Sequence, residues 1–231
     1  MKILAMDTSS VNATVAVCDE SRILGEYTVS GDRAHSQIIM PMLDELLKRC
    51  SLDINDIDVF AVCLGPGSFT GLRIGIAAIK TFAATLGKKI IGVSATDEVA
   101  ANFFGNNKYI CPIFDARRND VYNAVFKDGK KITDDRICSI ETVLSEMKDK
   151  EVIFTGDAVI KYADTITGAS NSNWHIAPCN LSHQSASALA SVALKRAKNN
   201  DFDSVDSLSP VYIRPSQAER EYMEVHGVDH I

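Results

Sequence analysis

The chain has 231 residues, 46% of them hydrophobic and 23% charged, which is enough for one large core or two small ones. Its formal net charge is −6, which argues against a protein that binds nucleic acid by itself, because neutralising phosphates requires a basic face. The six cysteines include no Cys-x-x-Cys pair, so the sequence supports neither a zinc site nor a redox couple. No uninterrupted apolar run approaches the roughly 18 residues of a membrane span, and residues 1–7 predict a strand rather than a signal peptide. We therefore expect a cytoplasmic protein with no membrane partner.

The first half of the chain predicts a three-stranded meander followed by alternating helices and strands. Polar turns separate the first three strands, which favours antiparallel pairing. The predicted elements are strands at 2–7, 12–18 and 22–29, a helix at 34–49, a strand at 58–64, a helix at 68–86, a strand at 89–94 and a short helix from Asp97. Pro41 lies inside the first helix and is expected to kink or interrupt it.

The second half repeats this order of elements. It predicts strands at 109–114, 120–127 and 131–138, a helix at 140–148, a strand at 151–155, a weaker helix at 157–166, a short strand at 174–176 and a long helix at 183–199. The order βββαβαβα therefore occurs twice and predicts an α/β fold of two tandem domains with mixed sheets. Because turn formers cluster at 100–108, we place the domains at 1–104 and 105–209. The tail, 210–231, either packs over the domains or frays.

Residues 65–75, Gly-Pro-Gly-Ser-Phe-Thr-Gly-Leu-Arg-Ile-Gly, join a buried strand to an apolar helix. A helix N-terminus presents free backbone N–H groups, which bind anions. Gly71 and Gly75 lie inside the helix, where each costs about 1 kcal/mol relative to alanine. Close approach of another backbone is the best candidate for offsetting that cost. This corner is therefore predicted to serve anion binding, helix docking, or both.

Each predicted half opens with a strand that ends in aspartate, Asp7 in one and Asp115 in the other. With the repeated element order, this resembles the RNase H-like actin/hsp70/sugar-kinase (ASKHA) superfamily. The individual motifs are similar to those of the bacterial TsaB (YeaZ-type) family, and they lie at 3–9, 35–37 before 41–43, 65–75, 115–118 and 209–214.

This resemblance implies a role in making N6-threonylcarbamoyladenosine at position 37 of tRNA. It implies a non-catalytic partner subunit that docks and activates a larger paralogue, TsaD, which performs the transfer. It further implies that a small ATPase, TsaE, completes the assembly, that ATP is used by the partners, and that tRNA is reached through them. The chain alone is expected to form a two-fold dimer.

This sequence lacks the metal-binding and nucleotide-binding motifs that the resemblance places in the catalytic paralogue. The paralogue's His-x-x-x-His metal pair corresponds to Ala95 and Val99, neither of which can bind a metal ion. Its Gly-Gly turn corresponds to Gly156-Asp157, where a carboxylate would repel a phosphate. We therefore predict no catalytic residues and no metal site. His226 and His230 have ligand spacing, but they lie near the end of the chain and are interpreted as incidental.

Two groups of candidate site residues follow. The two docking helices would contact a partner through His35, Ile39, Met42, Leu43, Leu46, Gly71, Leu72, Gly75, Ile76, Ala78 and Ile79. The residues that would face an anion or nucleotide are Asp7, Thr8, Gly65, Gly67, Ser68, Thr70, Arg73 and Asp115.

The alternative is an autonomous enzyme, either an ASKHA-type ATPase or the peptidase that the superfamily's older label, glycoprotease or peptidase M22, suggests. It would use the second group of residues around nucleotide and metal. Against it, no Gly-x-Ser-x-Gly elbow and no Walker sequence occurs in the chain.

Overall fold

The computed structural model describes residues 1–31, 34–169 and 173–214. The first half forms a five-stranded sheet with strand order β3-β2-β1-β4-β5. Its elements are β1 (Ile3–Asp7), β2 (Asn12–Cys18), β3 (Ile23–Ser30), α1 (His35–Arg49), β4 (Val59–Gly65), α2 (Phe69–Leu86), β5 (Lys89–Ser94) and α3 (Ala95–Ala101), and a 3-10 turn lies at Ile54–Asp56. β1 pairs antiparallel with β2 and parallel with β4, so the sheet is mixed.

The second half forms a sheet whose main path is β10-β7-β6-β11-β12. Its elements are β6 (Tyr109–Asp115), β7 (Asp120–Asn123), β8 (Phe126–Lys127), β9 (Lys130–Lys131), β10 (Arg136–Ser139), α4 (Ile140–Met147), β11 (Val152–Thr155), α5 (Ala158–Lys161), α6 (Ala163–Gly168), β12 (Trp174–Ile176), α7 (Cys179–Ser182) and α8 (Ala186–Lys198). β6 pairs antiparallel with β7 and parallel with β11, as β1 does with β2 and β4. The predicted α/β class with mixed sheets is confirmed.

The strands predicted at 120–127 and 131–138 are each broken in two. Pro112 lies in β6 opposite the break, and it has no N–H to donate to a neighbouring strand. The Asn123 side chain instead donates to the Pro112 carbonyl at 3.0 Å. The Val125 N–H turns to the Thr133 hydroxyl at 2.8 Å. These side-chain bonds replace the sheet ladder and leave β8 and β9 as a short hairpin.

The helices also differ in detail from the prediction. α1 runs unbroken through Pro41, where the missing N–H is on an exposed side of the helix and leaves no buried acceptor. The helix predicted at 157–166 is two short helices, α5 and α6, that meet at Tyr162. The long helix predicted from 183 begins only at Ala186, where the Ser185 side chain caps it.

The last helix, α8, packs against the first sheet rather than the second. Its residues Leu189, Ala190 and Ala193 belong to the same buried cluster as β1, β2 and β4. The Ala186 N–H, at the start of α8, donates to the Thr14 hydroxyl of β2 at 3.2 Å. Because β1 and β2 are buried along their whole length, both faces of the sheet need cover, and α8 provides part of it. The division into domains at 104 stays a prediction.

α2 is long and apolar enough to satisfy the length and hydropathy criteria for a membrane span. One such helix is weak evidence, because a core helix of a globular protein satisfies the same criteria. Here α2 buries Leu72, Ile76 and Ile79 within the first half.

Candidate functional site

The glycine corner between β4 and α2 is closed by the turn that follows β1. The Ser68 N–H donates to the Ser9 carbonyl at 2.6 Å, and the Thr8 hydroxyl donates to the Gly71 carbonyl at 2.6 Å. The Ser68 hydroxyl caps α2 by accepting from the Gly71 N–H at 3.3 Å. The Ser68 and Gly71 N–H groups of this helix start are therefore engaged with the chain itself.

Two glycines of the corner are required by close backbone contact. A Cβ on Gly67 would lie 2.4 Å from the Ser9 carbonyl oxygen, and one on Gly71 would lie 1.9 Å from the Thr8 carbonyl oxygen. Neither distance is sterically possible. The backbone approach that the sequence predicted is therefore present, and it is made by the chain's own β1–β2 turn.

Asp7 points into the core instead of into a cleft. It is fully buried, and its carboxylate accepts from the Ser9 N–H at 2.6 Å and from the Ser9 hydroxyl at 3.0 Å. Burial raises the pKa of Asp7, and the two Ser9 hydrogen bonds oppose that rise.

Two further buried ionisable groups, Cys63 and Glu98, lie beside Asp7. The side-chain atoms of the three residues that could bind a metal ion all lie within 4.8 Å of one another. Burial, followed by the nearby Asp7 carboxylate, raises the pKa of Glu98 well above its usual range and does the same to the Cys63 thiol. Sequence reasoning missed both residues. The position of Glu98, three residues after Ala95, could have indicated that it is buried, because it lies on the same face of α3 as Ala95.

A segment at 208–214, here called the C-terminal strap, crosses from the first half to the second. The Val211 N–H donates to the Leu64 carbonyl at 2.8 Å, and the Tyr212 ring stacks on Phe69 with 3.8 Å between centroids. The Arg73 guanidinium donates to the Tyr212 hydroxyl at 2.9 Å. Arg73 therefore binds the strap, and its contact with an anion stays a prediction.

At the far end of the strap, the Arg214 guanidinium donates to the Ala116 carbonyl and lies 3.6 Å from the Asp120 carboxylate. The strap therefore joins the end of β4 to the β6–β7 turn. Of the predicted tail, residues from 215 onward, including His226 and His230, lie outside the described residues.

The second predicted aspartate, Asp115, is not brought together with Asp7. It ends β6 in the other sheet, is exposed, and forms an ion pair with Lys161 at 2.7 Å. Asp157, at the start of α5, accepts from the Asp115 N–H at 3.0 Å. Burial raises the pKa of Asp157.

The other nucleotide-facing candidates are dispersed. Gly65 is buried with its φ in the left-handed region, and Thr8 is 2% exposed, whereas Ser68 and Thr70 are exposed at the start of α2. Ala95 and Val99 are both fully buried in the core.

Most of the predicted partner-contact residues lie in the chain's own core. Ile39, Met42, Leu43, Leu46, Gly71, Leu72, Gly75, Ile76 and Ile79 are buried, while His35 and Ala78 are partly exposed. The physical reason is that a helix lying on a sheet turns its apolar face to that sheet. Whether α1 and α2 bind a partner stays a prediction, and the buried residues are not available to do so in this structure.

Short side chains form much of the outward side of α2, namely exposed Ala77, Thr81, Ala84 and Thr85. The Thr81 hydroxyl donates to the Ala77 carbonyl at 2.8 Å, so its hydrogen bond stays within α2. Ile74 and Ala78 are partly exposed beside them, and on α1 Met40 is 42% exposed. We call these exposed and half-buried positions of the two helices, 40 on α1 and 74–85 on the outward side of α2, the α1–α2 outer face.

Comparisons with known proteins give one consistent family. The family described as TsaD, tRNA N6-adenosine threonylcarbamoyltransferase, matches residues 22–222. The tRNA threonylcarbamoyladenosine biosynthesis protein TsaB of Bacillus subtilis is 31% identical over 97% of this chain and 99% of its own length. TsaB of Haemophilus influenzae is 27% identical over 71% of this chain and 75% of its own length.

The solved structures agree on the fold. YeaZ from Pseudomonas aeruginosa superposes with a TM-score of 0.78 at 24% identity, covering 91% of this chain and 99% of that one. The ADPNP-bound activator of the 2-hydroxyisocaproyl-CoA dehydratase from Clostridium difficile has a TM-score of 0.53 at 12% identity, covering 92% of this chain and 100% of that one, a likeness of fold alone. From the motifs, the fold and the full-length match to a curated relative, the chain belongs to the TsaB (YeaZ-type) family of tRNA threonylcarbamoyladenosine biosynthesis proteins.

Proposed function

We propose that this chain is a non-catalytic subunit of the tRNA N6-threonylcarbamoyladenosine transferase and that it docks and activates the TsaD paralogue. The observation that carries the proposal is the α1–α2 outer face. Exposed Met40 and half-buried Ile74 supply apolar surface, and the short side chains of α2 let a second helix approach closely.

The closed glycine corner supports the non-catalytic part of the proposal. A nucleotide phosphate would have to displace the Ser68 to Ser9 and Thr8 to Gly71 hydrogen bonds, both 2.6 Å long. Asp7, the carboxylate expected to face metal and phosphate, is fully buried beside Glu98. The autonomous ATPase or peptidase is therefore the weaker candidate.

The remaining parts of the assembly follow from this role. ATP would be used by the partner subunits, among them the TsaE-type ATPase, in the cytoplasm. The net charge of −6 fits a subunit that reaches tRNA through its partners. When TsaD is absent, a second copy of the chain would cover the same outer face and form a two-fold dimer.

The direct test places a charged side chain on the outer face. Ala77→Arg adds a long cation at an exposed helix position, so the chain should fold normally but lose binding to TsaD by roughly 100-fold. Ala169→Arg, an exposed alanine of the second half, is the matched control and should bind normally. Binding is measured by titration calorimetry with purified TsaD.

Threonylcarbamoyl transfer to tRNA tests the activity in the same variants. TsaD and TsaE with the native chain or Ala169→Arg should be active, and the mixture with Ala77→Arg should not. Normal binding by Ala77→Arg would exclude this face, and nucleotide turnover by the chain alone would establish the autonomous enzyme instead. Substitutions at Gly75 would not test docking, because a Cβ there lies 2.6 Å from the Thr8 hydroxyl.

A further inference from the structure

Three side chains with metal-binding atoms meet in the core of the first half, away from every surface described above. We propose that Asp7, Cys63 and Glu98 form a closed structural site for one divalent first-row metal ion, with Zn²⁺ as the best fit. A bound ion would cross-link β1, β4 and α3 within the core.

The fold brings the three residues together from separate elements. Asp7 ends β1, and Cys63 lies near the end of β4, which pairs parallel with β1. Glu98 comes from α3 and is held by the Ser185 N–H, which donates to its Oε1 at 2.8 Å. Each side chain is at most 1% exposed.

The spacing suits a single ion. Zinc binds sulfur at about 2.3 Å and carboxylate oxygen at about 2.0–2.2 Å, so two ligands of one ion lie at most about 4.5 Å apart. The candidate atoms here are all within 4.8 Å of one another. Only small side-chain movements are therefore needed to close a shell around an ion.

An unsatisfied atom points to a missing partner. Glu98 Oε2 is buried and accepts no hydrogen bond from an N–H or hydroxyl group of the described residues, which offer it only a proton shared with the neighbouring Asp7 carboxyl group. A buried polar atom without a partner is costly, and two ionised carboxylates side by side would repel each other. A divalent cation would partner this oxygen and balance two of the three negative charges carried by the ionised ligands, namely two carboxylates and one thiolate.

The donor set selects the class of metal. Magnesium and calcium prefer shells made only of oxygen, whereas a thiolate with carboxylates favours zinc or a neighbouring transition metal. The Ser9 hydroxyl contacts both Asp7 and Cys63 and would supply a further oxygen ligand. Full burial is the property of a structural site, since a catalytic site keeps an open position.

The experiment compares refolding with and without metal, because a closed site can be loaded only as the chain folds. The full chain is unfolded with chelator and refolded either in chelator or in Zn²⁺, and bound metal and Tm are then measured. We expect about one zinc per chain after refolding in Zn²⁺ and a Tm several degrees above that of the metal-free protein. No bound zinc and equal Tm values would overturn the proposal.

Glu98→Gln separates a metal from a proton shared between the two carboxyl groups. Glutamine is a poor zinc ligand but reproduces a protonated glutamate, so under our proposal this variant binds at least 10-fold less zinc and loses the zinc-dependent rise in Tm. A variant that keeps the Tm of the zinc-refolded native chain, without zinc, would establish the shared proton. If the variant fails to fold, the comparison of the native chain refolded with and without Zn²⁺ still tests whether the site binds zinc.

Cobalt gives a spectroscopic readout of the sulfur ligand. The Co²⁺-refolded chain should show thiolate-to-cobalt charge-transfer absorption, which Cys63→Ser should abolish. Cys111→Ser, which removes another fully buried thiol, should retain that absorption. Absence of the band in the native chain would exclude Cys63 as a ligand and overturn the three-residue site.

Discussion

At the scale of single residues, the corner depends on glycines whose missing Cβ leaves room for a neighbouring backbone. Gly71 costs α2 about 1 kcal/mol relative to alanine as a helix-interior residue, but its lack of a Cβ lets the Thr8 carbonyl come close. We expect Gly71→Ala to destabilise the chain by about 3 kcal/mol, since the contact of 1.9 Å can be relieved only by moving backbone. Urea unfolding measures the change.

Gly168→Ala is the control for this substitution. Gly168 is also helical, and a Cβ there has no neighbour within 4 Å. It should leave stability unchanged or raise it by up to about 1 kcal/mol. Similar effects of the two alanines would mean that the close approach of Thr8 does not constrain α2.

Because Asp157 is largely buried, we expect the stability of the chain to depend on pH. Burial raises its pKa in the folded chain, so the folded state favours the protonated form and loses stability as pH rises from the ordinary aspartate value of about 4 through the raised value. Asp157→Asn keeps an oxygen that can accept from the Asp115 N–H and removes the buried charge. We expect the variant to have a higher Tm than the native chain at pH 7 and a similar one at pH 3, by calorimetry at both values. A lower Tm at pH 7 would show that the charge itself stabilises the fold.

At the scale of elements, strand and helix positions could be predicted from periodicity because burial of one face leaves a pattern in the sequence. What each apolar face contacts could not be predicted. Ile39 and Leu72 have the same spacing whether they face the chain's own sheet or a partner, and the structure puts both in the core. Glu98 likewise has no local sequence feature that reveals Asp7 as its neighbour.

The packing of α8 on the first sheet predicts that the first half does not fold alone. A fragment of residues 1–104 lacks Leu189 and Ala193, so it would expose apolar surface of β1 and β2 to water. We expect this fragment to show no cooperative thermal unfolding, whereas residues 1–214 should unfold cooperatively. Circular dichroism during heating makes the comparison. Cooperative unfolding of 1–104 would instead establish an independent N-terminal domain.

At the scale of the whole molecule, the C-terminal strap connects the two halves on the side where β4 ends. It bonds the Leu64 carbonyl in the first half, and through Arg214 it reaches Ala116 and Asp120 in the second. The resemblance predicted a motif at 209–214. Its contacts with Leu64, Ala116 and Asp120 could not be predicted, because these residues are distant in sequence and the motif does not indicate which residues it contacts.

Removing the Arg214 side chain should therefore loosen the strap without unfolding either half. The Arg214 side chain is 19% exposed and its guanidinium donates to a carbonyl, so Arg214→Ala should lower the free energy of unfolding by about 1–3 kcal/mol. Hydrogen exchange of the Val211 amide, bonded to Leu64, should accelerate by at least 10-fold, while amides of β1 and β11 keep their protection. Arg22→Ala is the control, because Arg22 is 74% exposed in its pair with Asp19 and such pairs contribute little. If exchange at Val211 is unchanged, the stacking of Tyr212 on Phe69 holds the strap without Arg214. If amides throughout the chain lose protection, the two halves are stable only when the strap joins them.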